Sequence, residues 1–263
     1  MIEIVLASIL LGLVAGLLAG LFGIGGGMIL VPALVLFFSA HGFPEKLVLI
    51  MSIATSLATI IFTSISSILT HHRLGAVEWH KVFRLVPGIS MGSAVGAVVA
   101  SHVEADLLRL IFICYLLYAG INMAIQARPK PGRLPSSRIL DFLVAILIGL
   151  MSSLVGIGGG TLTVPYLVHF QTPMRNAVAV SSACGLPIAI ASSVSYAILG
   201  HNAPQLPEWS LGYIYLPAFA GIFFTSILTA PIGAKLANRL PSEKLKRYFS
   251  LLIFMMAIKL MWY

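Results

Sequence analysis

Two glycine runs mark places where backbone alone could do chemistry. Gly23-Ile24-Gly25-Gly26-Gly27 and Gly156-Ile157-Gly158-Gly159-Gly160 each interrupt a long apolar stretch, and each is followed by a Val-Pro pair, Val31-Pro32 or Val164-Pro165. Glycine costs a helix about 1 kcal/mol relative to alanine and readily takes positive φ, so a cluster breaks the helix. A helix restarting after the break presents unpaired N–H groups and the positive end of its dipole. Glycine also removes the Cβ that would hold a ligand away, and a small anion is the natural occupant. Gly25, Gly26, Gly27, Gly158, Gly159, Gly160 and Thr161 are therefore the expected lining of a binding site. Close helix packing through small residues accounts for the same glycines equally well. A dinucleotide fingerprint fits poorly, because no strand precedes either run and no acidic residue follows at the required distance.

Hydroxyl groups cluster after each break. Ser52, Thr55, Ser56, Thr59 and Thr63 fall on one helical stripe, and the second half carries Ser181, Ser182, Cys184, Ser192, Ser193 and Ser195. Such a stripe faces a wet cavity or satisfies itself on carbonyls one turn back. Thr55 and Ser56 are the expected ligand contacts, and they correspond to Cys184 and Gly185, so the site is only approximately symmetric. Lys46 and Arg175 follow Pro44 and Pro173 at equivalent positions, where they can draw an anion in or simply snorkel to an interface. No buried acidic residue presents itself as a carrier, so coupling to protons or another ion is not legible. HExxH, GxSxG and paired intramembrane carboxylates are missing, which argues against an enzyme and gives no reason to expect a cofactor or metal.

The elements that must position these groups are membrane helices. Of 263 residues, 59% are hydrophobic and only 9% charged, far below the roughly 25% charge of a soluble domain. Eight apolar blocks are long enough or nearly so to cross about 30 Å of hydrocarbon: Ile4–Phe22, Leu47–Thr70, Leu85–Ser101, Leu110–Ala127, Phe142–Phe170, Asn176–Gly200, Trp209–Ala234 and Tyr248–Tyr263. The first has no basic flank and exceeds a usual signal-peptide core, so it reads as a retained helix. The short apolar segments after the glycine runs could cross or dip into the bilayer. The net charge of +8 is spread between apolar runs and forms no nucleic-acid face. Cys114 and Cys184 lie in apolar runs and make no disulfide framework.

The glycine runs open an internal duplication. Gly23 matches Gly156 and Val31-Pro32 matches Val164-Pro165, after which Lys46 matches Arg175, Ser52 matches Ser181, Glu78-Trp79 matches Glu208-Trp209 and Gly96-Ala97 matches Gly233-Ala234. Equivalent loops differ in charge: 71–84 holds Arg73, Lys81 and Arg84, whereas 200–210 holds no Lys or Arg. Eight simple crossings leave the basic residues evenly divided. Counting each short segment as a crossing, five per half, puts thirteen of the sixteen on one side. The positive-inside rule then places equivalent loops on opposite faces. The expected architecture is an all-α polytopic bundle of two inverted repeats, 1–127 and 139–263, joined by a basic cytoplasmic linker, 128–138, with both termini outside.

Phe22-Gly23-Ile24-Gly25-Gly26-Gly27 with Val31-Pro32, repeated as Val155-Gly156-Ile157-Gly158-Gly159-Gly160 with Val164-Pro165, resembles the sulfite exporter TauE/SafE family. Ala54-Thr55-Ser56, Gly96-Ala97 and Gly233-Ala234 sit where similar family segments would, so the likeness covers essentially the whole chain. It implies a multi-pass transporter of the bacterial cytoplasmic membrane that moves sulfite, sulfoacetate or related organosulfonates, in either direction. One departure is Met28, which follows the first glycine run where Thr161 follows the second. The expected function is transport of a small anion by alternating access between the repeats. A passive anion channel, a non-transporting scaffold and an intramembrane enzyme are the alternatives. The lipid bilayer and the anion are the expected partners; substrate, direction, coupling ion and oligomeric state are not legible.

Overall fold

The computed structural model describes residues 2–22, 27–125, 137–237 and 242–262. Within them the first half holds α1 (Ile2–Phe22), α2 (Gly27–Ala40), α3 (Glu45–Arg73), α4 (Trp79–His102) and α5 (Ala105–Ala124). The second holds α6 (Arg138–Val155), α7 (Gly160–His169), α8 (Met174–Leu199), α9 (Leu216–Ala237) and α10 (Ser242–Met261), with a short hairpin of β1 (Ser210–Leu211) and β2 (Ile214–Tyr215) before α9. Gly23 to Gly26 and the linker 128–133 lie outside the described residues. Five helices, α3, α4, α5, α6 and α8, are each long and apolar enough to cross a membrane. The chain is an all-α membrane protein.

Local chemistry sets the boundaries. Ser137 caps α6, its Oγ accepting the Leu140 N–H at 3.1 Å. That helix stops at Gly156, whose φ of +76° is the left-handed geometry glycine tolerates, and Gly159 at φ +75° turns the chain again before α7. Pro44 and Pro173 precede α3 and α8. Pro32 and Pro165 sit at the same place within α2 and α7, each removing an intrahelical hydrogen bond from an already short helix. At 14 and 10 residues, these two helices are about 21 and 15 Å long, too short to span about 30 Å of hydrocarbon.

Glycine sets the tightest contacts. Helices α4 and α6 run parallel, with Gly88 on the Phe142 carbonyl, Gly92 on the Ile146 carbonyl and Gly96 on the Leu150 carbonyl. Helices α1 and α9 do the same through Gly12 and Gly16, which face Ile222 and Ser226. At the centre α3 and α8 run antiparallel; 78% and 61% of their apolar windows are buried, against 39–44% for α4, α5 and α6. Helix α5 packs on α10 with Gly120 against the Phe254 ring. The pairings of one half recur in the other with partners exchanged: α1–α9 and α6–α4, α2–α3 and α7–α8, α3–α9 and α8–α4. Outward-facing Ile139, Leu143, Leu147, Phe224 and Leu228 are exposed and apolar, as lipid contact requires.

The helix directions define two ends. At the Arg175 end, the Arg175 guanidinium donates to the Leu74 carbonyl at 2.8 Å and Lys81 donates to Thr172 at 2.9 Å, joining the end of α3 to the starts of α4 and α8. At the Lys46 end, Phe38, Phe43 and Tyr215 stack together, joining α2, the start of α3 and the hairpin. Helix α6 leaves the Arg175 end, and α7 returns to it, because Tyr166 of α7 donates to Asp141 in the first turn of α6. The α6–α7 segment is therefore re-entrant, which the sequence left open. Helix α2 likewise begins in the interior and finishes at the Lys46 end, beside the start of α3.

Candidate functional site

The second glycine break lies in the seam between the two most buried helices. A Cβ placed on Gly158 would stand 3.4 Å from Ile60 Cγ2 and 4.0 Å from Gly185 Cα, both near the middle of their helices. Ser56 of α3 donates to the Gly156 carbonyl at 3.2 Å, holding the break from one side. Gly27, the first residue of α2, fits against the same strand of chain, where a Cβ would stand 2.5 Å from the Gly156 carbonyl oxygen and 3.0 Å from Ile157 Cα. The start of α2 and the break before α7 thus meet in the interior. Only glycine permits that approach, since a side chain at 27 would strike backbone.

Helix α7 begins there. Its N-cap is Gly159, and no side chain caps it. The Leu162 and Thr163 N–H groups bond back to the Gly159 carbonyl, at 3.1 and 2.9 Å, while the N–H groups at the very start of a helix have no intrahelical acceptor. Two hydroxyls lie beside this point, Ser152 Oγ 3.3 Å and Thr163 Oγ1 3.4 Å from where a Gly159 Cβ would be, with the tip of Ile188 closer at 2.5 Å. Both are buried, at 2% and 0% exposure, and neither has a hydrogen-bond partner among the described residues. Ser181, Ser192 and Ser193 of α8 are also buried without partners. Orphaned hydroxyls cost about 1–3 kcal/mol each, so a cluster at one helix start points to something that repays them when bound.

The expected site residues divide three ways. Gly27, Gly158, Gly159 and Ser56 come together in the interior; Gly160 and Thr161 follow half-buried at the start of α7, Thr55 reaches the hairpin, and Gly25 and Gly26 lie outside the described residues. The hydroxyls expected to contact a ligand are occupied: Thr55 accepts the Tyr215 N–H at 3.1 Å, Ser56 holds Gly156, and Thr161 pairs with the Tyr115 hydroxyl. Ser52, Thr59 and Thr63 bond to carbonyls three or four residues back, at 2.7, 2.6 and 3.2 Å. Lys46 and Arg175 are exposed at opposite ends, remote from the break. Lys46 lines a cleft of about 530 Å³ with Arg109 but also with Glu45, Glu104 and Asp106, which offset its charge.

Ser152 and Thr163 escaped the sequence reading, which weighed hydroxyls after the later prolines. Their signal was present, four residues before Gly156 and two after Thr161. Asp141 was missed as well. It is buried at 5% exposure, ion-paired with Arg84 of α4 and bonded by Tyr166 of α7. Three residues after Arg138, it reads in sequence as an ordinary helix-start carboxylate, which hid its burial.

Known proteins resemble this chain along its whole length. The profile of the sulfite exporter TauE/SafE family matches residues 8–260. A "probable membrane transporter protein" of Haemophilus influenzae is 36% identical over 261 residues, covering 99% of both chains. One of the same description from Methanocaldococcus jannaschii is 24% identical over 252 residues, covering 95% of this chain and 92% of its own. No solved structure matches.

Proposed function

Because the chain belongs to the sulfite exporter TauE/SafE family, and so is a multi-pass membrane transporter rather than an enzyme, we propose that it moves a small oxyanion past the start of α7 by alternating access. Sulfite, sulfoacetate and other organosulfonates are the substrate class. The observation that carries this reading is the uncapped α7 start at Gly159, mid-molecule, with the Ser152 and Thr163 hydroxyls beside it, buried and without a partner among the described residues. Free N–H groups, a positive dipole end and hydroxyl donors suit an oxyanion without requiring a cationic side chain. Gly27 and Gly158 to Gly160 give the backbone access, Thr55, Ser56 and Thr161 hold the walls, and Lys46 and Arg175 stand at the two mouths.

The two halves act as inverted repeats in this reading. The exchanged helix pairings and the odd number of segments per half support the inversion, and among the described residues Arg73, Lys81, Arg84, Arg138 and Arg175 at one end, against Lys46 and Arg109 at the other, support a cytoplasmic position for the Arg175 end. Burial of Gly158 and Gly159 favours a transporter over an open channel, since a conducting pore leaves its narrowest lining wet. Purified protein in liposomes supplies the test, with sulfite, thiosulfate, sulfoacetate, taurine and simple carboxylates as the panel. Saturable flux with counterflow is expected for at least one sulfonate or sulfite, and Gly159→Val should reduce it to the empty-vesicle level while the protein still purifies as a folded species. Flux without counterflow would make it a channel, and flux no better than empty vesicles would reject transport.

A further inference from the structure

The Arg84–Asp141–Tyr166 cluster is not used by the anion site just described. Asp141 sits one turn inside α6, and its side chain is 6% exposed while that of Arg84 is 33% exposed. The Arg84 side chain is thus partly open toward the Arg175 end, while its Nε and the carboxylate beneath it are buried. Tyr166 ties the pair to α7, the helix whose start forms the proposed anion site, two turns away. Arg84 of α4 and Tyr166 of α7 are the ionisable groups in contact with Asp141 among the described residues; Arg138 lies one turn earlier on α6, and Lys81, one turn before Arg84 on α4, is held by Glu78 and Thr172. Other packed helices bring none to this point: Asp106 and Arg109 of α5 are at the opposite end, and Arg175 of α8 is bonded to the Leu74 carbonyl. On α3, Glu45 and Lys46 are at the far end, while His72 of the last turn is engaged with Trp79, beside His71 and Arg73.

The cluster exists in one half only. By the offsets of the duplication, the counterparts of Asp141, Arg84 and Tyr166 are Ser8, Gly221 and Ala33. Ser8 and Gly221 are in contact as the equivalents should be, a Cβ on Gly221 falling 2.7 Å from Ser8 Cβ. An ion pair in α4–α6 thus replaces a small-residue contact in α1–α9, at one end of the molecule.

We propose that this cluster is the proton-coupling site of the transporter, at which an anion arriving from the Arg175 end takes Arg84 from Asp141 and the released carboxylate takes up a proton. Resting on the transport reading, it supplies the coupling that reading lacks. The charge balance requires it: Arg84 and Asp141 together are neutral, and a sealed carboxylate stripped of its cation stays neutral only by binding a proton from water. One oxygen–hydrogen bond forms on Asp141, and the proton leaves when the anion departs and the ion pair closes again. Anion and proton then move together, and Tyr166 passes the change to α7.

Sulfoacetate, fully ionised near neutral pH since its carboxyl titrates near the usual carboxylate value of about 4, is the probe. In proteoliposomes acid outside should drive its accumulation through the wild-type protein, and infrared difference spectra should gain a protonated-carboxyl band when it binds. Asp141→Asn should lose both the response to the pH gradient and the band, while Asp141→Glu keeps them. The double variant Arg84→Gln/Asp141→Asn leaves no unpaired buried charge, so it should fold, with KM for sulfoacetate raised roughly tenfold by loss of a charge-assisted contact. Gradient-driven uptake that survives Asp141→Asn overturns the proposal, as does wild-type flux indifferent to pH. Failure of every panel anion to move through wild-type protein rejects the transport reading, and this site with it.

Discussion

The hydroxyl groups around the second glycine break differ in what they already hold, and that difference decides which can meet a ligand. Ser56 and Thr55 are bonded across elements, and Thr161 is paired with Tyr115, so each contributes to the wall. Ser152 and Thr163 are buried without partners among the described residues. Removing an unpartnered hydroxyl relieves a desolvation cost, whereas removing Ser56 strands the Gly156 carbonyl. Ser152→Ala and Thr163→Val are therefore expected to leave thermal stability unchanged or raised, while weakening anion binding; Ser56→Ala should cost about 1–3 kcal/mol of stability. Melting curves with and without the anion check both, since a ligand that binds the folded state raises its melting temperature. Residue types and spacing pointed to the right stretch of chain but not to the right hydroxyls. Whether a serine bonds one turn back, like Ser52, or across the bundle, like Ser56, depends on neighbours that sequence order does not reveal.

Among the helices, two devices recur. The parallel pairs α1–α9 and α4–α6 approach through glycines on successive turns, so close that a methyl group at Gly92 would meet the Ile146 carbonyl. Gly92→Ala is expected to force the pair apart and cost about 1–3 kcal/mol. Gly120→Ala, which meets the Phe254 ring at 3.3 Å and Ile253 Cγ2 at 3.4 Å, should cost less because these are side chains that can shift. Thermal unfolding in detergent distinguishes them. The other device is the re-entrant turn. Clustered glycine and a proline five residues after it foretold that a helix would break and restart, because both act on the local backbone. The direction of the restart was hidden, since it is set by the Tyr166–Asp141 bond and by the fit of Gly27 against Gly156.

Across the whole molecule, helix directions separate an end rich in Lys and Arg from an end where Lys46 is surrounded by carboxylates. With Cys114 and Cys184 replaced, Lys46→Cys in intact cells should react with an impermeant maleimide, while Arg175→Cys and a cysteine within 128–133 should react only after permeabilisation. Reaction of the linker cysteine from outside would overturn the proposed sidedness. The sequence by itself determined that this is a polytopic helical membrane protein of this family, and that a helix breaks at the second glycine run. Those properties follow from composition, periodicity and backbone preference, which act within a few turns of chain. Tertiary structure alone decided that α3 and α8 form the centre, that α7 turns back, that Ser152 and Thr163 lie beside Gly159, and that Asp141 is sealed beneath Arg84. Each of these depends on contacts between residues far apart in sequence, where burial and hydrogen bonding are fixed by packing rather than by local propensity.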